Sequence, residues 1–427
     1  MMVKEYDIAV FGATGLTGKH IVEHVFQQMA HLPRNFSWAV AGRNPEALTE
    51  IVETFAKQYP DAIRPAIIEA NVVKRPTLDA LAKATKVIIN AVGPFRFLGE
   101  YVVRACVEQG CDYVDVTGEP EFVERMQRTY HDQAKKNKVT LVHCCGFDSI
   151  PADMGVLFVK RLFTDRGWTP SQIEMALRVH VGPAGMRAGY ATYESAVHGF
   201  GSSHVLQEIR KVSGLPRLPR IGPKLAIHKY YHKDTLGYLV PFKFADPAVV
   251  RLSQQLMLSG ASVVPAAIDK PMPPTVQFAA YLALPSFFVL ILYYIYGFVF
   301  SFLATSPWGR NLLLNHPESF SYGVFSKEHP TPEQLAQTSF ELTLRARGYD
   351  SPVAQGGLNT ALTAVVRGPE PGYVATPRIV FQSALTLLRG KQDGTVPTGG
   401  VLTPAAAFWD TDLIERLRSV DIHFDTE

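Results

Sequence analysis

A strand-like segment, Ile8-Ala-Val-Phe11, runs directly into Gly12-Ala13-Thr14-Gly15-Leu16-Thr17-Gly18 and then into a helical pattern. Glycine three times at this spacing serves a sharp turn, close approach of backbone to a pyrophosphate, and tight packing of a helix on a sheet. Thr14 and Thr17 add hydroxyls, and a helix N-terminus offers N–H groups and the positive end of its dipole. The loop Gly12–Gly18 is therefore predicted to bind a dinucleotide. The second strand ends in Ala39-Val-Ala-Gly-Arg43-Asn44, with no acid to hold a ribose 2′-hydroxyl before Glu46. Arg43 suits a 2′-phosphate instead, which favours NADP(H) over NAD(H). Asn90-Ala-Val-Gly93-Pro94 ends a further strand, and its Asn90, Gly93 and Pro94 are expected to back the ribose and nicotinamide. Asp115-Val-Thr-Gly-Glu119 and Gly146-Phe-Asp-Ser-Ile-Pro151 end the next two strands, each equally readable as a ligand-facing turn or a capping turn.

Rival chemistries fail on spacing. His20-Ile-Val-Glu-His24 matches the inverted zincin pattern but lies on the helix after the glycine loop with no third ligand in evidence, so no metal site is expected. Tyr-x-x-x-Lys and Gly-x-Ser-x-Gly are both absent, which disfavours the short-chain dehydrogenase proton relay and a serine hydrolase.

The elements that must position these residues follow from the periodicity. Up to about residue 160, short apolar runs alternate with helical patterns, as in a parallel sheet covered on both faces. From Gln172 to Val181 the pattern becomes strict alternation, and it returns at Phe340–Arg347 and Thr360–Arg367. The expected fold is α/β: a Rossmann doubly wound sheet over residues 1–165, then an α+β domain over 166–427 with a hydrophobic hairpin insertion.

Two segments of that second domain are unusual. Residues 210–233 carry Arg210, Lys211, Arg217, Arg220, Lys224, Lys229 and Lys233 with no acid, and three prolines favour a loop. It reads either as a solvated basic loop or as a segment drawn to an anionic membrane surface. Residues 271–309 hold no charge at all, and 278–304 are almost wholly apolar and aromatic. Strand patterns on both sides favour a monotopic hairpin bent near Pro285 or Gly297 over a buried core helix or a true span. Tyr281, Tyr293, Tyr294, Tyr296 and Trp308 suit a membrane interface.

Composition bounds the rest. Apolar residues make up 47% of the 427 and charged residues 19%, below the ~25% of a typical soluble domain, a deficit concentrated in the charge-free segment. The net charge of +3 is too small to imply nucleic acid as a partner. Four cysteines, two of them adjacent at Cys144 and Cys145, fit a reducing compartment. Met1 and Met2 lead at once into a strand-like segment, so neither a secretory leader nor a lipid anchor is expected.

At Gly12–Gly18, Ala41-Gly-Arg43, Asn90–Pro94 and Gly146-Phe-Asp-Ser-Ile-Pro-Ala-Asp-Met-Gly155 the chain resembles the saccharopine dehydrogenase family. Tyr193-Glu-Ser-Ala-Val-His-Gly-Phe-Gly201, Gly222-Pro-Lys224, Gly372-Tyr-Val-Ala-Thr-Pro377 and Gly399-Gly-Val-Leu-Thr-Pro404 are most similar to its animal saccharopine dehydrogenase-like oxidoreductase branch. The resemblance implies a Rossmann domain, a C-terminal α+β domain, association with lipid droplets or other membranes, and kinship with bacterial enoyl reductases of glycolipid synthesis. The combined expectation is an NADP(H)-dependent oxidoreductase acting on a lipid-derived C=C, C=N or C=O, with Asp148, Thr192 and Tyr193 as candidate proton donors. A lipid-surface scaffold or sensor that binds the dinucleotide without turnover is the alternative. The expected setting is intracellular, on the cytosolic face of a lipid droplet or membrane, with the mitochondrion as another compartment; a homo-oligomer is compatible with the chain.

Overall fold

The computed structural model describes residues 4–201 and 203–427. The chain runs β1 (Tyr6–Phe11), α1 (Leu16–Gln28), β2 (Trp38–Gly42), α2 (Pro45–Gln58), β3 (Ala66–Glu69), α3 (Arg75–Ala84), β4 (Thr85–Asn90), α4 (Phe95–Gln109), β5 (Asp112–Asp115), α5 (Pro120–Lys136), β6 (Thr140–Val142) and α6 (Ile150–Thr164). It continues with β7 (Thr169–His180), β8 (Ala188–Gly189), α7 (Tyr190–Gly201), α8 (Ser203–Lys211), β9 (His232–Asp234), β10 (Gly237–Pro241), α9 (Ala245–Leu258), β11 (Gln277–Leu284) and α10 (Phe287–Ala304). It ends with α11 (Pro307–Asn315), α12 (Pro317–Phe320), β12 (Phe325–Ser326), α13 (Pro332–Gln337), β13 (Ser339–Tyr349), β14 (Thr360–Pro369), α14 (Thr376–Asp393), β15 (Gly400–Leu402), α15 (Pro404–Phe408), α16 (Leu413–Arg418) and β16 (His423–Thr426).

Two compact units share these elements. The first takes Met1–Phe147, Gly260–Lys270 and Gly372–Val420. Its sheet is wholly parallel in the order β15-β6-β5-β4-β1-β2-β3, a Rossmann sheet with one extra strand beside β6. Strands buried along their length, such as Trp38–Gly42, need helices on both faces, and α14 supplies part of that cover. Ile379, Val380, Phe381, Ala384 and Leu387 of α14 are fully buried, and the helix packs on α1, β4 and β5. The segment 260–270 is fastened to the same unit: the Trp409 indole donates to the Ser262 carbonyl (2.8 Å) and Ala266 N to the Gly394 carbonyl (2.9 Å).

The expected cut at 165/166 thus differs from the observed division in three places: residues 148–165, the segment 260–270 just described, and residues 372–420. Helix α6 belongs to the second unit, where it packs on β7, β13 and β14, close enough that a Cβ on Gly155 would lie 3.2 Å from Val366. Residues 372–420, expected in the second domain, return to the first because α14 covers its sheet and β15 extends it.

The second unit, Asp148–Ser259, Pro271–Pro371 and Asp421–Glu427, is built on a mixed sheet in the order β16-β14-β13-β7-β11-β10-β9. The three alternating segments are its strands β7, β13 and β14, with Ile173, Met175 and Leu177 buried as the alternation requires. Strand β7 is antiparallel to β13 and parallel to β11. The chain on both sides of α10 therefore returns to the same strand, β7.

The charge-free segment does not form a hairpin bent at Gly297. Its first part is β11, with Tyr281 almost fully buried inside the sheet rather than at an interface. Pro285 and Ser286 make the corner, the Ser286 hydroxyl accepting from Val289 N, and α10 then runs unbroken through Gly297. The return limb is α11, which packs against α10 so closely that a Cβ on Gly309 would strike the Leu303 carbonyl. One stripe of α10 packs inward through Leu290, Phe300, Leu303 and Ala304. The opposite stripe, Phe288, Ile291, Ile295, Phe298 and Phe302, recurs at helical spacing and is exposed, with Phe298 at 75%.

Candidate dinucleotide cradle

The strand order of the first unit reverses between β1 and β4, and both the glycine loop and Asn90–Pro94 leave the sheet there. Gly12 has φ +88°, and its N–H donates to the Ala41 carbonyl (2.9 Å), tying the loop to β2. Gly15 N donates to the Gly12 carbonyl (3.0 Å), closing the turn. A Cβ on Gly18 would lie 2.0 Å from that same carbonyl oxygen, so helix and loop can approach this closely only without a side chain. Ala13 is buried beneath the loop, Leu16 and Thr17 are half-buried, and Thr14 and Gly15 are exposed.

Two helix N-termini face this strand edge, and the structure distinguishes them. Helix α1 has no side-chain cap, so its first-turn amides remain available to an anion. Helix α4 is already served: Glu119, nearly buried, accepts from Phe95 N and Arg96 N, both at 3.0 Å. Of these two N-termini, α1 is the one whose first-turn amides have no side-chain partner. Arg43 follows β2, is exposed, and has no carboxylate partner among the described residues. Its neighbour Asn44 caps α2 by accepting from Glu46 N and Ala47 N.

Asn90 is placed differently from its expected neighbours. Its side chain is buried, donating to the Tyr113 hydroxyl (3.0 Å) and accepting from Val92 N (3.0 Å). Tyr113 donates to Asp115 (2.9 Å), and Asp115 also holds His143 Nδ1 (2.6 Å) and accepts from Cys144 N and Thr117 N. Burial and the Asp115 carboxylate push the Tyr113 phenol well above its usual range, so it stays a donor. This buried chain aligns the ends of β4, β5 and β6. The signal for it was polar residues inside otherwise apolar strands. Gly93 and Pro94, joined by a cis peptide bond, follow at the surface of the same edge.

The three candidate proton donors all lie in the second unit. Asp148 is half-buried and its carboxyl is pushed up to about 6 by burial. Thr192 is exposed on α7. Tyr193 sits in the core against Phe300 of α10 and Phe325, with its hydroxyl unpartnered and its pKa raised well above normal by burial. A polar cluster the spacing did not reveal lies between α6 and α9. Asp246 is raised to about 8 by burial and by Asp148; Lys160 is lowered to about 7 by burial and donates to Gln254. Ser253 donates to Asp153 at 2.6 Å.

Comparison with known proteins agrees with this geometry. Residues 8–142 match the saccharopine dehydrogenase NADP binding domain. A human saccharopine dehydrogenase-like oxidoreductase is 37% identical over 99% of this chain and 97% of its own. A probable mitochondrial saccharopine dehydrogenase-like oxidoreductase of Arabidopsis thaliana is 36% identical over 98% and 96%. A Caenorhabditis elegans lipid droplet localized protein is 32% identical over 100% and 99%. Among solved structures, the saccharopine dehydrogenase (L-Glu forming) of Saccharomyces cerevisiae covers 99% of this chain and 100% of its own with a TM-score of 0.54 at 13% identity, a likeness of fold. The Rossmann sheet together with the match to an NADP binding domain and the oxidoreductase relatives defines an NADP(H)-dependent oxidoreductase. The chain belongs to the saccharopine dehydrogenase-like oxidoreductase family.

Proposed function

We propose that this oxidoreductase reduces an apolar, lipid-derived C=C, C=N or C=O while docked through α10 on a lipid droplet or membrane. The observation that carries the reading is the exposed apolar stripe of α10, a class of surface that soluble monomers keep small. At ~27 Å, α10 is near the thickness of a bilayer core. A single crossing would leave β11 and β13 on opposite sides, and both pair with β7, which supports a helix lying in the interface. The name of the worm relative supports a lipid-droplet setting, and that of the plant relative supports the mitochondrion as another compartment.

The amides of Leu16, Thr17 and Gly18 and the Thr14 and Thr17 hydroxyls would hold the pyrophosphate, and Arg43 the 2′-phosphate. NADPH, when bound, supplies hydride from its nicotinamide C4. A proton must reach the atom next to the reduced carbon. Asp148 is the proposed donor, because it lies in a strand-end loop, is partly open to solvent, and keeps its proton to a higher pH than an ordinary carboxyl. The test is NADPH oxidation against enones, imines and ketones of lipids presented in vesicles. Turnover that is lost on Phe298→Asp in α10 and restored with soluble short-chain analogues supports the reading. Tight NADPH binding without turnover on any of them would favour the scaffold.

A further inference from the structure

We propose that the basic segment between α8 and β10 and the exposed face of α10 form one docking surface selective for anionic phospholipid. The proposal rests on the docking reading of α10 and names its partner. The segment is pinned to the sheet by its backbone. Ser171 and Gln277 donate to the Ile221 carbonyl, Gln172 donates to the Pro223 carbonyl, and Leu225 N donates to Gln277. His228 N reaches the Tyr281 hydroxyl at 3.3 Å, and the Leu225 side chain is buried among Ala176, Leu239 and Tyr281. With the backbone held inward, the side chains of Arg217, Arg220, Lys224, Lys229 and Lys233 are left exposed. None of these five has a carboxylate partner among the described residues. Cations held on an ordered loop and left without counter-charges are arranged for an external anion.

The same segment reaches α10. Tyr231 packs on Tyr238 (6.1 Å between ring centroids), Tyr238 packs on Phe287 (5.9 Å), and the Lys233 ammonium lies over the Tyr238 ring at 5.4 Å. Tyr294, two turns into α10, has its phenol raised by burial and by Tyr231 and Tyr230. Ile227 and Tyr230 are exposed at 60% and 73%, continuous in character with Phe287 and Phe288. The surface thus runs from apolar stripe through a tyrosine rim to unpaired lysines. That sequence matches the depth profile of a leaflet: acyl chains, interface, anionic headgroups. A lysine-lined rim around an apolar face is complementary to anionic lipid and not to an uncharged triglyceride surface.

The experiment uses the full chain and flotation on phosphatidylcholine vesicles with or without about a third phosphatidylserine. The wild type should partition more strongly onto the anionic vesicles, with the difference erased by high salt. The variant Lys224→Gln/Lys229→Gln/Lys233→Gln should lose about fivefold for each lysine on anionic vesicles and nothing on neutral ones. Phe288→Asp/Phe298→Asp/Phe302→Asp should lose binding to both. NADPH binding in the first unit and the thermal midpoint serve as checks that each variant folds. Equal wild-type binding to both vesicles, or an unchanged lysine variant, overturns the selectivity and leaves the docking of α10 intact. Binding to neither vesicle overturns both; if the chain then self-associates through α10, the surface belongs to a second copy.

Discussion

A single carbonyl oxygen, that of Gly12, organises the cradle: it accepts from Gly15 N and lies where a Cβ on Gly18 would have to go. Gly18→Ala should therefore abolish NADPH binding, read by nucleotide fluorescence, and lower the thermal midpoint. Arg43→Asp should weaken NADPH about 10–100-fold while sparing NADH, as expected for losing charge-assisted hydrogen bonds to phosphate. An unchanged ratio would remove Arg43 from the site. His24 makes a different prediction. It is buried edge-on against Phe381, its Nε2 has no partner, and burial together with Arg378 lowers it to about 4. The folded state then favours the neutral ring. Its contribution is intact above pH ~6.5 and is lost as pH falls from there toward 4, by up to about 3 kcal/mol. Urea midpoints at pH 7 and 4.5 should converge in His24→Phe relative to the wild type. Asp148→Asn should reduce turnover while leaving NADPH affinity unchanged, and wild-type turnover should fall as pH rises through about 6, where the acid form is lost.

At the scale of elements, the local signals were the readable ones. The glycine loop and the alternation of β7, β13 and β14 each depend on a few neighbouring residues, and each forms where its pattern puts it. The apolar run was harder to read because two elements with different tasks are adjacent in it. Tyr281 and Phe298 look alike in composition, yet one faces the interior of a sheet and the other solvent. Asn90 reads as a ligand contact because it is polar at a strand end, and the Asp115–Glu119 turn reads equally as ligand-facing or capping. Their partners, Tyr113, His143 and the α4 amides, are decided by tertiary packing. The consequence for α10 is testable: substitutions on its outer stripe should change membrane partition without changing the melting temperature, whereas Phe300→Ala on the inner stripe should cost about 3–5 kcal/mol.

For the whole molecule, the first unit is assembled from three separated stretches of chain. Helix α14 and strand β15, which complete the nucleotide sheet, have no local motif that assigns them to it. Residues 1–165 expressed alone should consequently bind a hydrophobic dye strongly and NADPH poorly, and co-expression with residues 372–427 should restore part of both properties. Recovery by 1–165 alone would show that α14 cover is dispensable.

Strand β15 lies beside β6 but is synthesised some 260 residues later. During translation the β6 edge has no neighbour until β15 is made, and β4 and β5 lack the apolar cover of α14 until that helix is made, whereas α10 precedes both in the chain. The nascent chain therefore displays an open parallel sheet edge and the apolar α10 at the same time. A stop just before residue 400 should leave both exposed, read as a larger insoluble fraction than that of the full chain.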